Sequence, residues 1–353
     1  MKDFKEVVMF AGTYISVCIG SGFATGQEIM QFFSVHGLQS ILPALLCMII
    51  LGYCGARLLE IGKTVKLKSS NDIFIYLCGK HIGNIFKIIM PIFFFLSFIV
   101  MVSGAGASLN QYYGVNSLIG SFLLVILVLA SIILGMNKII DILGNIGPAI
   151  IVTSIGVGLV TITRNYDMIL ESNEIIKSLD MTVAVDNIWL TGIIYSGLNL
   201  IIVTPFLISV GKTARNKKNC ILGGVIGGVV FMIAAIVLNI AILSDIENIY
   251  TTQIPTLYMS KSIGPVVGVM FSIILLAGIY TTAVPLLWNV CTSFAKEGTY
   301  KFYFIAVVCS IAALIMSKLP FSALVNMIYP ISGIIGIFII IGILLSKTIR
   351  KIN

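Results

Sequence analysis

Charged residues are scarce in this sequence. Its 353 residues include 22 Lys and Arg and 14 Asp and Glu, so that only 10% of the chain is charged, whereas soluble domains average about 25%. Hydrophobic residues make up 58% of the chain, and the mean hydropathy is +1.09. This composition excludes a sizeable soluble domain and indicates an all-α integral membrane protein that forms a single domain over 1–353.

Residues and motifs of the reactive classes are also few. There are two histidines, and the seven cysteines form no CxxC pair and have no His partner at metal-ligand spacing, so we interpret them as apolar fillers. No phosphate-binding loop and no nucleophile beside a base is found, so we expect neither an enzyme nor a cofactor. The net charge of +8 does not indicate a nucleic-acid partner, because the basic residues lie in loops on one side of the predicted membrane domain.

Long apolar runs predict ten transmembrane helices, since a helix needs about 20 apolar residues to cross a bilayer. The first run lacks an Ala-x-Ala-like exit and is too long for a signal peptide, so we expect it to be retained. Only four basic residues fall on the predicted outer side, which places both termini in the cytoplasm and the protein in the cytoplasmic membrane. These four are Arg164, Lys177, Lys261 and Lys318. The predicted spans are 7–34, 39–62, 84–112, 117–135, 139–162, 187–211, 219–244, 264–295, 301–317 and 321–347.

The first span contains a stretch that a lipid-facing helix should not have. Between Ser16 and Glu28 it carries three glycines, Gly20, Gly22 and Gly26, each of which costs a helix about 1 kcal/mol relative to alanine. A break at this depth exposes amides at the start of one half-helix and carbonyls at the end of the other, which bind an anionic and a cationic group. The stretch therefore predicts a site for a zwitterion, with a glycine-rich packing surface as the alternative.

A second polar interruption lies in the sixth span, at Ile194-Tyr195-Ser196-Gly197-Leu198-Asn199. It occupies the position in the second five spans that the first break occupies in the first five. Because five is an odd number, the two sets of spans run in opposite orientations. Broken helices at corresponding positions predict an inverted 5+5 repeat of 7–162 and 187–347.

The motifs resemble those of a known superfamily. Gly20-Ser21-Gly22-Phe23 is similar to the Gly-Ser-Gly-Ile motif of the amino acid–polyamine–organocation superfamily, and the longer string to Glu28 resembles the YkvI-like membrane proteins. The resemblance implies a LeuT-type fold with broken helices 1 and 6 and an amino acid or related small amine as substrate. It also implies that the amides of Ser21, Gly22 and Phe23 bind the substrate carboxylate.

The resemblance implies further substrate contacts as well. The amino group would meet carbonyls near Cys18 and Ile19 and around Tyr195 and Ser196. Small residues of the third span would wall the pocket, or would equally serve helix packing. The substrate candidates are Cys18, Ile19, Gly20, Ser21, Gly22, Phe23, Ser103, Gly104, Ala107, Tyr195, Ser196, Gly197 and Asn199.

The sequence leaves two candidates for the coupling ion, sodium and the proton, and it favours sodium. In the eighth span, Gly278-Ile279-Tyr280-Thr281-Thr282 resembles the sodium site of the family, in which two hydroxyls join backbone carbonyls. The alternative is that both threonines bond back to their own helix. No Lys or Arg lies between 142 and 162, where some relatives replace this sodium by a lysine. The sodium candidates are Ser16, Ile19, Gly278, Thr281 and Thr282.

Two carboxylates are candidates for gating or proton transfer. Glu28 lies well inside the first span, where an ionisable side chain indicates function by default. We interpret it as part of an outer gate, with a proton carrier as the alternative. Asp141 opens the fifth span on the inner side, where it would pair with Lys5 or Arg57 as an inner gate or cap its own helix.

These features predict a secondary transporter for an amino acid or similar small zwitterion that works by alternating access. A receptor that binds without transport is the alternative, and a passive channel is a further one. The outer loop 163–186 is expected to form a solvated helix with an acidic face, and the outer loop 245–263 to form a lid. The expected partners are the small-molecule substrate and the lipid bilayer, and the sequence indicates no oligomeric state.

Overall fold

The computed structural model describes residues 2–65, 67, 72–134 and 146–349, and these residues are almost entirely helical. Fifteen α-helices and one 3-10 segment, Ser34–Ser40, are found in the described ranges. The helices are α1 (Lys2–Cys18), α2 (Ser21–Thr25), α3 (Gln27–Phe32), α4 (Ile41–Thr64), α5 (Ile73–Tyr113), α6 (Ser117–Leu134), α7 (Ile146–Arg164), α8 (Met168–Ser178), α9 (Ile188–Gly211), α10 (Lys217–Leu243), α11 (Ile246–Ile249), α12 (Pro255–Ile263), α13 (Pro265–Phe294), α14 (Tyr300–Met316) and α15 (Phe321–Ile349).

Each predicted span after the first coincides with one helix in the described ranges. The helix α5 starts well before the predicted residue 84, because a bend at Gly79, with a φ of 79°, adds a short helical piece in front of the span. The predicted start of the fifth span, 139–145, lies outside the described residues. The apolar runs therefore located the helices, and the glycine bend accounts for the early start.

Length and composition identify a multi-pass membrane protein. Among the described residues, seven helical segments are long and apolar enough to cross a membrane, or up to eight if the bent pair formed by α7 and α8 is one span. The helix α14 is a shorter apolar helix, and α1 has only 17 residues, with Asp3, Lys5 and Glu6 in its first turns. The predicted count of ten crossings stays a prediction.

The predicted break in the sixth span is wrong, because α9 runs without interruption from Ile188 to Gly211. Its polar side chains bond back to the helix that carries them: Ser196 Oγ donates to the carbonyl of Gly192 (2.6 Å), and Asn199 Nδ2 donates to that of Tyr195 (2.9 Å). Because these side chains form their hydrogen bonds with carbonyls of their own helix, they do not require the backbone to unwind.

Gly197 has a packing role in the crossing of α9 and α15. A β-carbon at Gly197 would collide with the carbonyl of Gly333, and one at Gly336 would collide with the carbonyl of Gly197. Small residues let the two backbones approach this closely. Gly197 therefore allows a backbone-to-backbone contact in this structure, whereas the sequence predicted that it takes part in a helix break and in substrate binding.

The bundle is organised around α4, α9 and α10. The helix α4 packs against both α9 and α10, α1 lies on α10, and α9 lies on α15. On the other side, α5 packs against α6, α13 and α15. The two short helices α2 and α3 lie inside this arrangement, and every residue of α3 is buried.

The outer loop 163–186 covers the 3-10 segment. Its helix α8 presents Asn173, whose Oδ1 accepts a hydrogen bond from the amide of Leu38 (2.9 Å), and the amide of Ala184 donates to the carbonyl of Gln31 (3.0 Å). Glu171 and Glu174 are exposed on the opposite face, as expected for an acidic surface helix. The loop is thus solvated on one face and docked on the other.

Candidate functional site

The first span is interrupted where its glycines are concentrated. The helix α1 ends at Cys18, and the amide of Gly20 donates to the carbonyl of Cys18 (2.9 Å). The carbonyl of Ser16 therefore lacks the i+4 amide that a continuous helix would give it. The helix α2 begins at Ser21, and its N-cap Gly20 offers no side chain to its first amides. The break thus leaves one carbonyl without its helical amide and the first amides of α2 without a side-chain cap.

A second bend follows at Gly26, between α2 and α3. Gly26 has a φ of 79°, a left-handed conformation that glycine adopts without steric cost. Its amide donates to the carbonyl of Phe23 (2.9 Å) and so ends α2. A β-carbon at this position would lie 3.0 Å from Thr256 Cγ2 and 3.1 Å from Pro255 Cβ. The bend therefore requires glycine both for its conformation and for the close approach of α12.

The carboxyl group of Glu28 lies beside the first helix break. Glu28 is 4% exposed, and its Oε1 accepts a hydrogen bond from Tyr195 Oη (2.8 Å). A β-carbon on Gly22 would collide with Glu28 Oε2 and with the ring edge of Tyr329. The absence of a side chain at Gly22 thus makes room for the carboxyl group alongside α2.

No basic side chain compensates Glu28 in the described part of the chain. The ion pairs formed there are Arg57–Glu60, Lys177–Glu174 and Lys217–Glu60, and Glu28 takes part in none of them. A buried carboxylate with one hydroxyl donor and no cation is costly to keep charged. Glu28 is therefore stable here in its protonated form, or with a cation that the described residues do not supply.

Two buried glutamines lie on the outer side of Glu28. Gln31 Nε2 donates to the carbonyl of Ser322 in α15 (2.9 Å). With the amide of Gln27 in the orientation that satisfies both of its atoms, its oxygen accepts from Gln31 (2.9 Å) and its nitrogen donates to the carbonyls of Thr252 and Gln253 (3.2 Å each). These hydrogen bonds join α3 to α15 and to the loop 245–263.

The loop 245–263, which the sequence predicts to lie outside and to form a lid, contacts the bend at Gly26, and its function as a lid stays a prediction. Thr256 Oγ1 donates to the carbonyl of Ala24 (2.7 Å). The side-chain amide of Gln111 in α5 makes two hydrogen bonds to the loop. Its Nε2 donates to the carbonyl of Ile254 (2.8 Å), and its Oε1 accepts from the backbone amide of Ile254 (2.9 Å). The lid is thus fastened to the short helix α2 and to the bundle at the same time.

Aromatic rings surround the buried carboxyl group. The ring of Tyr195 lies 5.4 Å from that of Phe32 and 5.0 Å, edge on, from that of Phe33. Phe23 points towards α10, where its ring lies 5.0 Å from Phe231. Tyr195 and Phe23 are fully buried, so the structure has a closed conformation around the break.

Comparisons with known proteins agree on the fold. No family model matches the chain. MhsT, solved in complex with L-phenylalanine, superposes with a TM-score of 0.63 over 93% of this chain and 87% of its own, at 14% identity. A manganese transporter of Eremococcus coleocola superposes with a TM-score of 0.56 over 94% of this chain and 75% of its own, at 13% identity. The chain has the LeuT-type fold.

Relatives by sequence extend along nearly the whole chain. The uncharacterized membrane protein YkvI of Bacillus subtilis is 24% identical over 348 residues, which cover 97% of this chain and 96% of YkvI. The uncharacterized protein YyaD of the same organism is 22% identical over 333 residues, covering 94% of each. The resemblance to YkvI-like proteins and to the LeuT-type fold is confirmed.

The predicted sodium residues of this LeuT-type fold hold hydrogen bonds of their own. Thr281 Oγ1 and Thr282 Oγ1 both donate to the carbonyl of Gly278 (3.0 Å each), and Ser16 Oγ donates to that of Gly12 (2.8 Å). A hydroxyl that donates its hydrogen keeps its oxygen lone pairs for a cation. The helix α13, which contains this threonine segment, packs against α2. Sodium binding there stays a prediction, as does the role of Ile19.

The third-span candidates lie in α5, a helix that packs against α2. Ser103 Oγ donates to the carbonyl of Leu319 (3.3 Å), and Gly104 and Ala107 are buried. A β-carbon on Gly20 would lie 3.7 Å from the methyl carbon of Met101. Packing and pocket wall therefore remain alternatives for these small residues.

The predicted inner gate of Asp141 with Lys5 or Arg57 stays a prediction. Asp141 lies outside the described residues, Lys5 is exposed, and Arg57 forms its ion pair with Glu60. Glu6 Oε1 instead accepts a hydrogen bond from the amide of Arg215 (2.9 Å). The start of α1 is thus tied to the loop before α10.

Sequence reasoning missed several groups that lie around Glu28. They are the contacts that Thr256, Gln111 and Gln253 make in the loop 245–263 or to its neighbours, the α15 residue Tyr329, and the buried glutamine Gln31. The spacing of Gln27 and Gln31 by four residues, on either side of Glu28, is a signal that would have identified one polar face of α3. The other groups come from distant parts of the chain and left no local signal.

Proposed function

We propose that this protein is a secondary active transporter that moves an amino acid or a similar small amine across the cytoplasmic membrane by alternating access. One observation carries the proposal: a helix break, with amides that no side chain caps and a carbonyl without its i+4 amide, lies beside a buried carboxyl group that no described basic residue pairs with, in a LeuT-type fold. The neighbour MhsT was solved with L-phenylalanine, which supports an amino acid as the substrate class.

For the membrane topology, we propose ten crossings with both termini in the cytoplasm. In this arrangement α1, α2 and α3 form one interrupted crossing, and α14 is a crossing despite its 17 residues. The four basic residues predicted outside support this orientation. The 5+5 repeat would then relate 7–162 to 187–347, with a break in the first half only.

For the coupling ion, we propose sodium at the segment that contains Gly278, Thr281 and Thr282. The two hydroxyls converge on one carbonyl in α13, a helix that contacts α2, and oxygen ligands of this kind suit a hard cation. The proton is the competing ion, carried by Glu28.

Uptake into proteoliposomes tests the function and the ion together. Labelled amino acids, small amines and Mn²⁺ are offered with an inward sodium gradient, an inward proton gradient, or neither. We expect saturable, sodium-dependent accumulation of one organic substrate, lost in Thr281→Ala. Thr292→Ala is the matched control, since Thr292 lies in the same helix and also bonds back to it, at the carbonyl of Trp288 (3.0 Å).

Each outcome of this assay decides between named functions. Accumulation that follows the proton gradient and is lost in Glu28→Gln would assign coupling to the proton. Binding without any uptake would replace the transporter by a receptor, and equilibration without a gradient would indicate a passive facilitator. Uptake of Mn²⁺ alone would refute the organic substrate.

A further inference from the structure

We propose that the Glu28 carboxylate is the group that binds the ammonium of the substrate, so that the site accepts primary amines and holds amino acids by their amino end. This inference rests on the proposed function and narrows its substrate class. It differs from the expectation drawn from the resemblance, in which backbone carbonyls alone receive the amino group. Glu28 thereby becomes a substrate-binding residue instead of a gate.

The first argument is the charge of the site. Glu28 lies within the membrane domain, is buried, and receives a single hydrogen bond in the described part of the chain, from Tyr195. The basic side chains that pair with carboxylates there, Arg57, Lys177 and Lys217, all pair elsewhere. An ionisable group kept at membrane depth without a partner indicates a functional cation. A substrate ammonium supplies this missing charge at the helix break itself.

The second argument is the direction of the carboxyl group. Its Oε1 is held by Tyr195, which fixes the side chain, while Oε2 lies on the side of Gly22. Gly22 is the second residue of α2, and the break before α2 leaves the carbonyl of Ser16 without its i+4 amide. Oε2 and this carbonyl are both acceptors, and an ammonium group has three N–H donors to offer. A substrate carboxylate at the same place would instead face the negative charge of Glu28.

The third argument separates an organic ammonium from a sodium ion. Oε2 and a ring carbon of Tyr329 both lie where a β-carbon of Gly22 would be, and the rings of Phe32 and Phe33 pack against Tyr195. Sodium prefers a shell of oxygen ligands, whereas an alkylammonium is also stabilised by aromatic rings. The threonine segment of α13 offers sodium two hydroxyl oxygens and a carbonyl oxygen instead.

Three matched ligands test the inference on the wild-type protein. L-Phenylalanine carries both charged groups, phenethylamine lacks the carboxylate, and 3-phenylpropionate lacks the amine. L-Leucine, isoamylamine and 4-methylpentanoate form a second set with an aliphatic side chain. Binding to the detergent-purified protein is measured by ligand-dependent thermal stabilisation, which rises with the logarithm of occupancy. We expect stabilisation by the amino acid and by the amine of at least one set, and none by the acid.

Two variants and one control test whether amine binding depends on the Glu28 carboxylate. Glu28→Gln keeps the size of the side chain and removes its charge, so the amine should bind at least about tenfold more weakly, as expected for a lost charge-assisted hydrogen bond. Glu174→Gln is the control, because it removes one negative charge from an exposed residue of α8. Tyr195→Phe keeps the carboxylate and removes its hydrogen-bond donor, so it should weaken amine binding by a smaller factor.

The inference and the proposed function fail in different ways. If the acid binds as well as the amine in the wild type, or if Glu28→Gln binds the amine normally while only the pH dependence changes, Glu28 does not receive the ammonium and the transporter proposal stands. If no member of either set binds, both are overturned. The comparison of amine and acid binding by the wild-type protein tests the inference even if Glu28→Gln does not fold.

Discussion

The bend at Gly26 offers a prediction whose magnitude follows from the structure. Alanine at this position would have to keep a φ of 79°, and the left-handed region costs an L-residue about 1–2 kcal/mol. Its β-carbon would also lie 3.0 Å from Thr256 Cγ2 and 3.1 Å from Pro255 Cβ, so the lid would have to shift by a few tenths of an ångström. Gly26→Ala should therefore destabilise the closed conformation by about 1–2 kcal/mol or slightly more.

The two costs can be separated experimentally. Asparagine tolerates the left-handed region better than alanine but has the same β-carbon, so Gly26→Asn should recover part of the loss. Gly12→Ala is the control, because a β-carbon there meets nothing within 4 Å and alanine favours the helix by about 1 kcal/mol. The assay is the apparent unfolding temperature in detergent. If both variants were as stable as the wild type, the left-handed conformation of Gly26 would be contradicted.

Two other substitutions test the helix crossing and the lid. Gly197→Leu should destabilise the protein by about 1–3 kcal/mol or abolish folding, because its side chain would enter the backbone contact with Gly336; normal expression and stability would contradict this packing. Thr256→Val removes the hydroxyl that donates to the carbonyl of Ala24 and should cost about 1 kcal/mol while increasing hydrogen exchange in 245–263. Unchanged exchange in this loop would show that the bond does not hold the lid.

The two predicted breaks show what a sequence can and cannot indicate. The first contains three glycines within seven residues, a density that disfavours a helix whatever surrounds it, and α1 does end at Cys18. The second contains one glycine between polar residues. Its Ser196 and Asn199 can either leave the helix or bond to it, and only the observed geometry distinguishes the two.

The position of Glu28 was beyond sequence reasoning for a related reason. The sequence identified it as a carboxylate inside a span, but its contact with Gly22 depends on the bend at Gly26. Glycine adopts positive and negative φ with similar ease, so the direction in which α3 leaves the bend is not encoded by that residue alone. The lid that fixes the direction joins Ala24 to Thr256, which is 232 residues away in the chain.

A structure of the protein with its best-stabilising amine or amino acid would test the central claim most directly. The claim predicts ligand density at the break between α1 and α2, with the ligand nitrogen within hydrogen-bonding distance of Glu28 Oε2. Density at the outer surface instead, for example in the pocket lined by Tyr112, Tyr258 and Lys261, with an unchanged Glu28–Tyr195 pair, would contradict it.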